Sequence, residues 1–417
     1  MLKIIRENPD LVRQNIENKN ESADIDIIIE LDKKRRSIIQ EADQLKNKRN
    51  VVSKEISELK KNKQDASEKI NAMKEVSEKI KSLDDDLKNT IREMEEHLLR
   101  IPNMLHISVP IGKSEEDNIE VRSWGEPGEA DKDHMELAES LGILDFQRAA
   151  KISGSGFASY LGKGATLERA LLSFMIDHHI ENNGYTEIFT PMIVNKEAMT
   201  GTGQIPKLAE DMYHIEKDDF YLIPTSEVPI TNFYGNEMLK PEVLPLKLCG
   251  YSACFRREAG SYGKETKGLL RLHQFNKVEL VKFTKPEDSY KELEFLVNDA
   301  ETILKKLELP YRVVLLSSGD TSFSSAKTYD LEVWAPAEKS WLEVSSCSNF
   351  EEFQARRSNI RFKRTPKDKP EFVHTLNGSG LATSRLMVAI MEHYQTPEGK
   401  VVIPEALRPY CRFDIID

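Results

Sequence analysis

From Ile28 onward, one set of positions recurs at alternating steps of three and four: Ile28, Leu31, Arg35, Ile38, Ala42, Leu45, Arg49, Val52, Ile56 and Leu59. That spacing puts every one of them on a single helix face and reads as a heptad seam. A second seam runs through Ile70, Met73, Val76, Ile80, Leu83, Leu87, Ile91, Met94 and Leu98. The stretch between, Lys61-Asn62-Lys63-Gln64-Asp65, is short and polar. Two seams joined by a polar turn predict an antiparallel helical hairpin over residues 27–100. Each helix, on the order of 33 residues, would be about 50 Å long. A hairpin of that length cannot fold back over a compact core and is expected to project into solvent. Arg35 and Arg49 interrupt the first seam; they either reach out to water or set register at some cost in stability.

The pattern changes after residue 100. Pro102, Pro110, Gly112, Gly125, Pro127 and Gly128 punctuate a linker with short strands. Beyond it two periods mix. Leu222-Ile223-Pro224, Lys277–Phe283 and Tyr311–Leu316 read as strands, and Ser289–Leu307 has the apolar spacing of an amphipathic helix. Without a regular βαβ alternation, the expected class is α+β, with a mainly antiparallel sheet flanked by helices. The expected domains are 1–110, carrying the hairpin, and 111–417.

Composition adds limits. With 417 residues the chain has room for two or three domains. Its formal net charge of −11 gives no general attraction to nucleic acid, so any basic surface must be local. Residues 27–61 supply one, with Lys and Arg outnumbering Asp and Glu. A basic helix suits a phosphate-facing surface. It is equally a solvated face, and the hairpin is equally an oligomerisation or spacer element. The start, Met1 to Glu7, breaks into charge too early for a signal peptide, and no apolar run approaches the ~20 residues that span a membrane. A cytoplasmic location is expected. Cys249, Cys254, Cys347 and Cys411 form no paired CxxC pattern and read as reduced thiols, with no zinc expected.

There is no GxxxxGK[ST] loop and no GxGxxG after a strand, so nucleotide binding would need another design. The densest chemistry is Cys254-Phe255-Arg256-Arg257-Glu258-Ala259-Gly260-Ser261, a Gly/Lys-rich stretch, then Gly268-Leu269-Leu270-Arg271-Leu272-His273-Gln274-Phe275. Read as two strands joined by a loop, alternation puts Arg256 with Glu258 on one face, and Arg271 with Phe275 likewise. Two arginines, an acid and an aromatic ring on one face could bind phosphate and purine together, or form a surface salt-bridge cluster.

Phe-Arg-x-Glu followed by Arg-x-His-Gln-Phe resembles motif 2 of the class II aminoacyl-tRNA synthetases, in the form seen in seryl-tRNA synthetases of bacterial type. Asn377-Gly378-Ser379-Gly380-Leu381-Ala382-Thr383-Ser384-Arg385, running into a helix Leu386–Tyr394, resembles motif 3. The segment Gly164–Pro191, a helix and then Tyr185-Thr186-Glu187-Ile188-Phe189-Thr190-Pro191, resembles motif 1. Thr225-Ser226-Glu227, Glu343-Val344-Ser345-Ser346, the stretch from Asp117 to Gly125 and the hairpin itself also fit the family, so the resemblance covers nearly the whole chain.

The resemblance implies a serine–tRNA ligase activity: ATP and L-serine give seryl-adenylate, and serine passes to the 3′ end of serine tRNA, with selenocysteine tRNA as a further family substrate. Arg256 would hold the α-phosphate and Glu258 the adenine amino group. Phe275 and Arg385 would sandwich the adenine, Arg385 also reaching the γ-phosphate. Arg257, Arg271, Leu272, Val344 and Ser345 would complete the ATP site, with Arg256 and Arg385 as the catalytic pair. Glu343 and Ser346 would hold the Mg²⁺ that accompanies ATP. Thr225, Ser226, Glu227, Glu279 and Ser379 would bind serine. A buried acid such as Glu279 needs a partner, and bound substrate can be that partner. Motif 1 implies a homodimer, and the hairpin would grip the long variable arm of the tRNA by shape and backbone. Ser226, Tyr262 and Thr383-Ser384 depart slightly from the family pattern; none removes a ligand. An enzyme that passes an activated amino acid to a carrier protein would lack the hairpin. A scaffold with a degenerate catalytic domain would have lost Arg256, Glu258, Glu343 or Arg385. Neither loss is seen.

Overall fold

The structure, a computed structural model, describes residues 1–258 and 267–417. Tyr262 lies outside the described residues. The chain forms two compact units, Met1–Pro102 and Asn103–Asp417.

The first unit is helical: α1 (Leu2–Glu7), α2 (Pro9–Asn18), α3 (Ile25–Lys61) and α4 (Ser67–Leu98). Asp24 caps α3, its side chain accepting from the N–H groups of Asp26 and Ile27. The long helices α3 and α4 pack together along the expected seams, burying Ile28, Leu31, Ile38 and Ala42 from one, Met73, Ile80, Leu83 and Met94 from the other. One seam position differs. Thr90, 1% exposed, occupies the place expected of Ile91. Its hydroxyl donates to the Asp86 carbonyl at 2.8 Å, so its polarity is satisfied within the helix and the three-residue step from Leu87 keeps the heptad. Arg35 neither reaches out alone nor sits idle in the seam. It pairs at 2.9 Å with Asp32, which is 1% exposed and also held by Arg6 and Arg36. Against the opposing pull of burial, hydrogen bonds from Arg35 and Arg6 hold the Asp32 carboxyl below its usual range.

The second unit is built on an eight-stranded sheet. Its strands are β1 (Ile119–Trp124), β2 (Thr186–Glu187), β3 (Leu246–Phe255), β4 (Gln274–Thr284), β5 (Tyr311–Leu315), β6 (Lys327–Ala335), β7 (Ser340–Asn349) and β8 (His374–Ala382). They lie in the order β1-β5-β6-β7-β8-β4-β3-β2, antiparallel throughout except for the parallel pair β2–β3. Helices α5 (His134–Leu141), α6 (Gly162–Asn183), α7 (Glu227–Asn232), α8 (Ser289–Lys306), α9 (Phe353–Arg357) and α10 (Thr383–His393) accompany the sheet. Leu296, Ala300 and Ile303 of α8 and Leu386, Val388 and Ile390 of α10 join Val278, Leu280, Leu331, Val344 and Leu381 of the strands in one apolar core. That rigid sheet fixes the side chains that line the site below. All four cysteines are free and buried, and burial pushes the thiols of Cys249 and Cys347 up to about 12 and that of Cys411 up to about 11. No helix among the described residues is long and apolar enough to cross a membrane.

Candidate active site

A cavity of about 530 Å³ opens in the second unit over the central strands. It falls within the size range of small-molecule sites. Arg256, Glu258, Arg271, Leu272, Phe275, Glu343, Val344, Ser346 and Arg385 line it, together with Thr225, Glu227 and Ser379. The structure therefore brings together segments more than a hundred residues apart in sequence. Arg257 is exposed, and Ser226, Ser345 and Glu279 are buried; none of the four is among the lining residues.

The strands end sooner than alternation predicts. β3 stops at Phe255 and β4 begins at Gln274, so Arg256, Glu258 and Arg271 lie on the connection rather than on strand faces. Glu258 has φ of +51°, a left-handed conformation that breaks the extended run. The expected group forms by a turn instead. Arg271 Nε donates to Glu258 Oε2 at 2.5 Å, and the Arg256 guanidinium lies 5.2 Å from the centre of the Phe275 ring. Arg256 is steadied by Nε donating to the Pro224 carbonyl at 3.3 Å. Across the cavity, Arg385 donates from Nε to the Leu270 carbonyl at 3.2 Å and from Nη1 to the Glu343 carbonyl at 2.9 Å. These ties fix two guanidinium groups at the cavity wall with donors left for an anion.

Thr225, Glu227, Lys277 and Asn377 of the lining belong to a buried polar network. Glu279, 0% exposed, has three partners within the protein. Thr225 Oγ1 donates to it at 2.5 Å, Asn377 Nδ2 at 2.9 Å, and the Lys277 ammonium pairs with it at 2.6 Å. The partner expected from a substrate is thus already supplied by the fold. Glu227 opens α7 and accepts from Gln354 Nε2 at 2.6 Å. Burial, and then the charge of Glu279, raise the Glu227 carboxyl to about 7. Ser379 sits opposite Glu279 in the β4–β8 ladder, beside a register shift, and its carbonyl accepts from Ser345 Oγ at 2.7 Å.

Sequence reading passed over Lys277, Gln354, Asn377 and Asp330. Lys277 and Asn377 line the cavity, yet a Lys in a strand and an Asn before a Gly carry little signal alone. Gln354 lies in α9, far in sequence from the acid it serves. Asp330 stands opposite Ser346 in the β6–β7 ladder. Its Oδ1 is buried with no hydrogen-bond partner among the described residues. The alternation of Asp330 and Glu332 with Tyr329, Leu331 and Val333 is the available signal.

Among the described residues, His134, Glu338 and Glu392 also come close enough to hold a metal ion. The Leu269 N–H donates to His134 Nε2 at 3.4 Å, which leaves the ring proton on Nδ1, facing Glu392 Oε1 at 3.3 Å.

Comparison with known proteins matches residues 2–105 to the family model of the seryl-tRNA synthetase N-terminal domain and residues 211–394 to that of the tRNA synthetase class II core domain (G, H, P, S and T). The chain is similar to the serine–tRNA ligase of Heliobacterium modesticaldum, 58% identical over 99% of each chain. It is 59% identical to that of Geobacillus sp. (strain WCH70), over 98% of this chain and 97% of the relative. The crystal structure of seryl-tRNA synthetase from Pyrococcus horikoshii complexed with ATP superposes with a TM-score of 0.94 at 38% identity, covering 100% of this chain and 99% of that one.

Proposed function

The chain belongs to the seryl-tRNA synthetase family, and from that premise we propose how its residues divide the ATP-dependent charging of tRNA with serine. The observation that carries the assignment is one cavity lined by Arg256, Arg271 and Arg385 together with Glu227 and Thr225, the last hydrogen-bonded to the buried Glu279.

ATP occupies the guanidinium end. Phe275 and Arg385 flank the adenine, and Glu258, oriented by Arg271, accepts from its amino group. Arg256 faces the α-phosphate. Serine occupies the acid end, its ammonium and hydroxyl shared between Glu227 and the Thr225–Glu279 pair, with Ser379 at the edge. Lys277 pairs with Glu279 and holds its carboxylate in place. A serine carboxylate oxygen bonds to the α-phosphorus as the bond to the β-phosphate oxygen breaks, and pyrophosphate leaves. Arg256 stabilises the charge that gathers there. The terminal ribose hydroxyl of the tRNA then attacks the acyl carbon, and AMP leaves. Orientation and electrostatics supply the acceleration, so no protein base is required. A serine hydroxyl that satisfies buried acceptors discriminates strongly against alanine, which leaves them unpaired.

A divalent cation fits this donor set. Glu343 and Ser346 line the cavity, and the unpartnered Asp330 Oδ1 lies in the strand beside them, all hard oxygen donors. Mg²⁺ bound by Glu343 and Ser346 would neutralise phosphate charge. The remaining assignments are a homodimer built through the motif 1 segment Gly164–Pro191, tRNA held by the hairpin of the first unit, and action in the cytoplasm.

Pyrophosphate exchange into ATP across all twenty amino acids tests the reading. Exchange with serine, followed by charging of serine tRNA, is the expected result. Exchange with a different amino acid overturns it.

A further inference from the structure

We propose that Glu168 is a positioning residue that sets the width of the adenine slot. The proposal rests on Phe275 and Arg385 being the two walls of that slot. Glu168 belongs to α6, is 6% exposed and is not among the residues lining the cavity. Its Oε1 accepts from Asn276 Nδ2 at 2.8 Å and from Thr383 Oγ1 at 2.6 Å. Asn276 is the neighbour of Phe275 in β4. Thr383 is the first residue of α10, and Arg385 lies in the same first turn. One carboxyl oxygen therefore joins the strand that carries one wall to the helix that carries the other.

Two further contacts tighten the join. Thr383 Oγ1 also lies 3.0 Å from the Asn276 carbonyl. A Cβ on Gly380 would meet the His179 ring of α6 at 2.7 Å, so the end of β8 leading into α10 rests directly on that helix. The second oxygen, Oε2, is buried without a hydrogen-bond partner among the described residues. A buried acid left half satisfied contributes poorly to stability, and a well-packed apolar residue would avoid that penalty. What the carboxyl supplies is a second tie between β4 and α10, beside the direct Thr383–Asn276 contact, and it anchors both to α6.

The test is steady-state pyrophosphate exchange with the full chain. Glu168→Ala raises KM for ATP about tenfold while KM for serine stays within about twofold. Glu168→Gln keeps the acceptor oxygen and restores KM for ATP. Thr383→Val, which removes the donor, reproduces the effect of Glu168→Ala, and the double variant is no worse than either single one. Equal rises in both KM values, a change in the thermal midpoint alone, or a Gln variant as poor as the Ala variant overturns the proposal. If the Ala variant does not fold, Thr383→Val against Glu168→Gln decides. A wild-type chain without serine-dependent exchange defeats the functional reading instead. Phe275→Ala raising KM for ATP while Glu168→Ala does not confines the failure to Glu168.

Discussion

Glu227 is a buried acid beside a second buried acid, and its carboxyl stands at about 7 where an exposed one stands near 4.5. A raised carboxyl keeps its proton in the folded chain while the unfolded chain has lost it. Stability therefore falls as pH rises from the unfolded value to about 7, by roughly 3 kcal/mol in all, and stays at that lower level above. Function runs the other way. On the proposal that Glu227 takes the serine ammonium, only its ionised form does so, and kcat/KM for serine should fall about tenfold between pH 8 and pH 6. A pH profile checks this, and Glu227→Gln should be slow and flat across the window. Lys277 supplies the opposite charge at this end of the cavity. Lys277→Met leaves Glu279 buried with only neutral partners, a loss of about 3–5 kcal/mol that thermal or urea unfolding will read. The acids of the site were legible because Thr225-Ser226-Glu227 and Glu279 fall in recognisable segments. Their supports were not. Lys277 and Gln354 gain meaning only from Glu279 and Glu227, and that proximity is written in the sheet and not in any local spacing.

Among the elements, the hairpin was the most legible because a heptad is a long-range regularity that a few exceptions cannot hide. The exceptions were informative all the same. Thr90 replaces Ile91 since a hydroxyl bonded back to its own helix can sit in a seam, and pattern matching on apolar residues passes over it. Arg35 has a partner, Asp32, three residues earlier, as an i,i+3 pair allows. The motif 2 strands are shorter than alternation predicts, and on the first side the left-handed Glu258, which nothing in the residue type announces, keeps the connection from extending. The proposed role of the hairpin in charging can be tested apart from the chemistry. Deleting Ser37–Ile91 should leave pyrophosphate exchange within about twofold and abolish tRNA charging, because activation needs only the cavity. Equal loss of both activities would make the hairpin a folding element.

On the scale of the whole molecule, a net charge of −11 coexists with a basic α3, so phosphate attraction has to be local. Next to the motif 1 strand β2, Phe189 is 67% exposed and Tyr251 is 42% exposed, their rings 5.8 Å apart. Two large rings left in water beside a sheet edge suit the proposed homodimer contact. Phe189→Asp should shift sedimentation from dimer toward monomer and lower exchange in step; a wild-type chain that sediments as a monomer would count against the homodimer. The buried thiols have a practical corollary. A maleimide dye reacts with thiolate, and all four native thiols are enclosed with their ionisation suppressed. The folded chain should be almost silent toward such a reagent and show its full complement only in guanidinium. A single Cys put in place of Lys63, at the polar turn between α3 and α4, would then carry the only fluorophore. Its emission would report how the tip of the hairpin responds when RNA arrives, against no background from the catalytic unit.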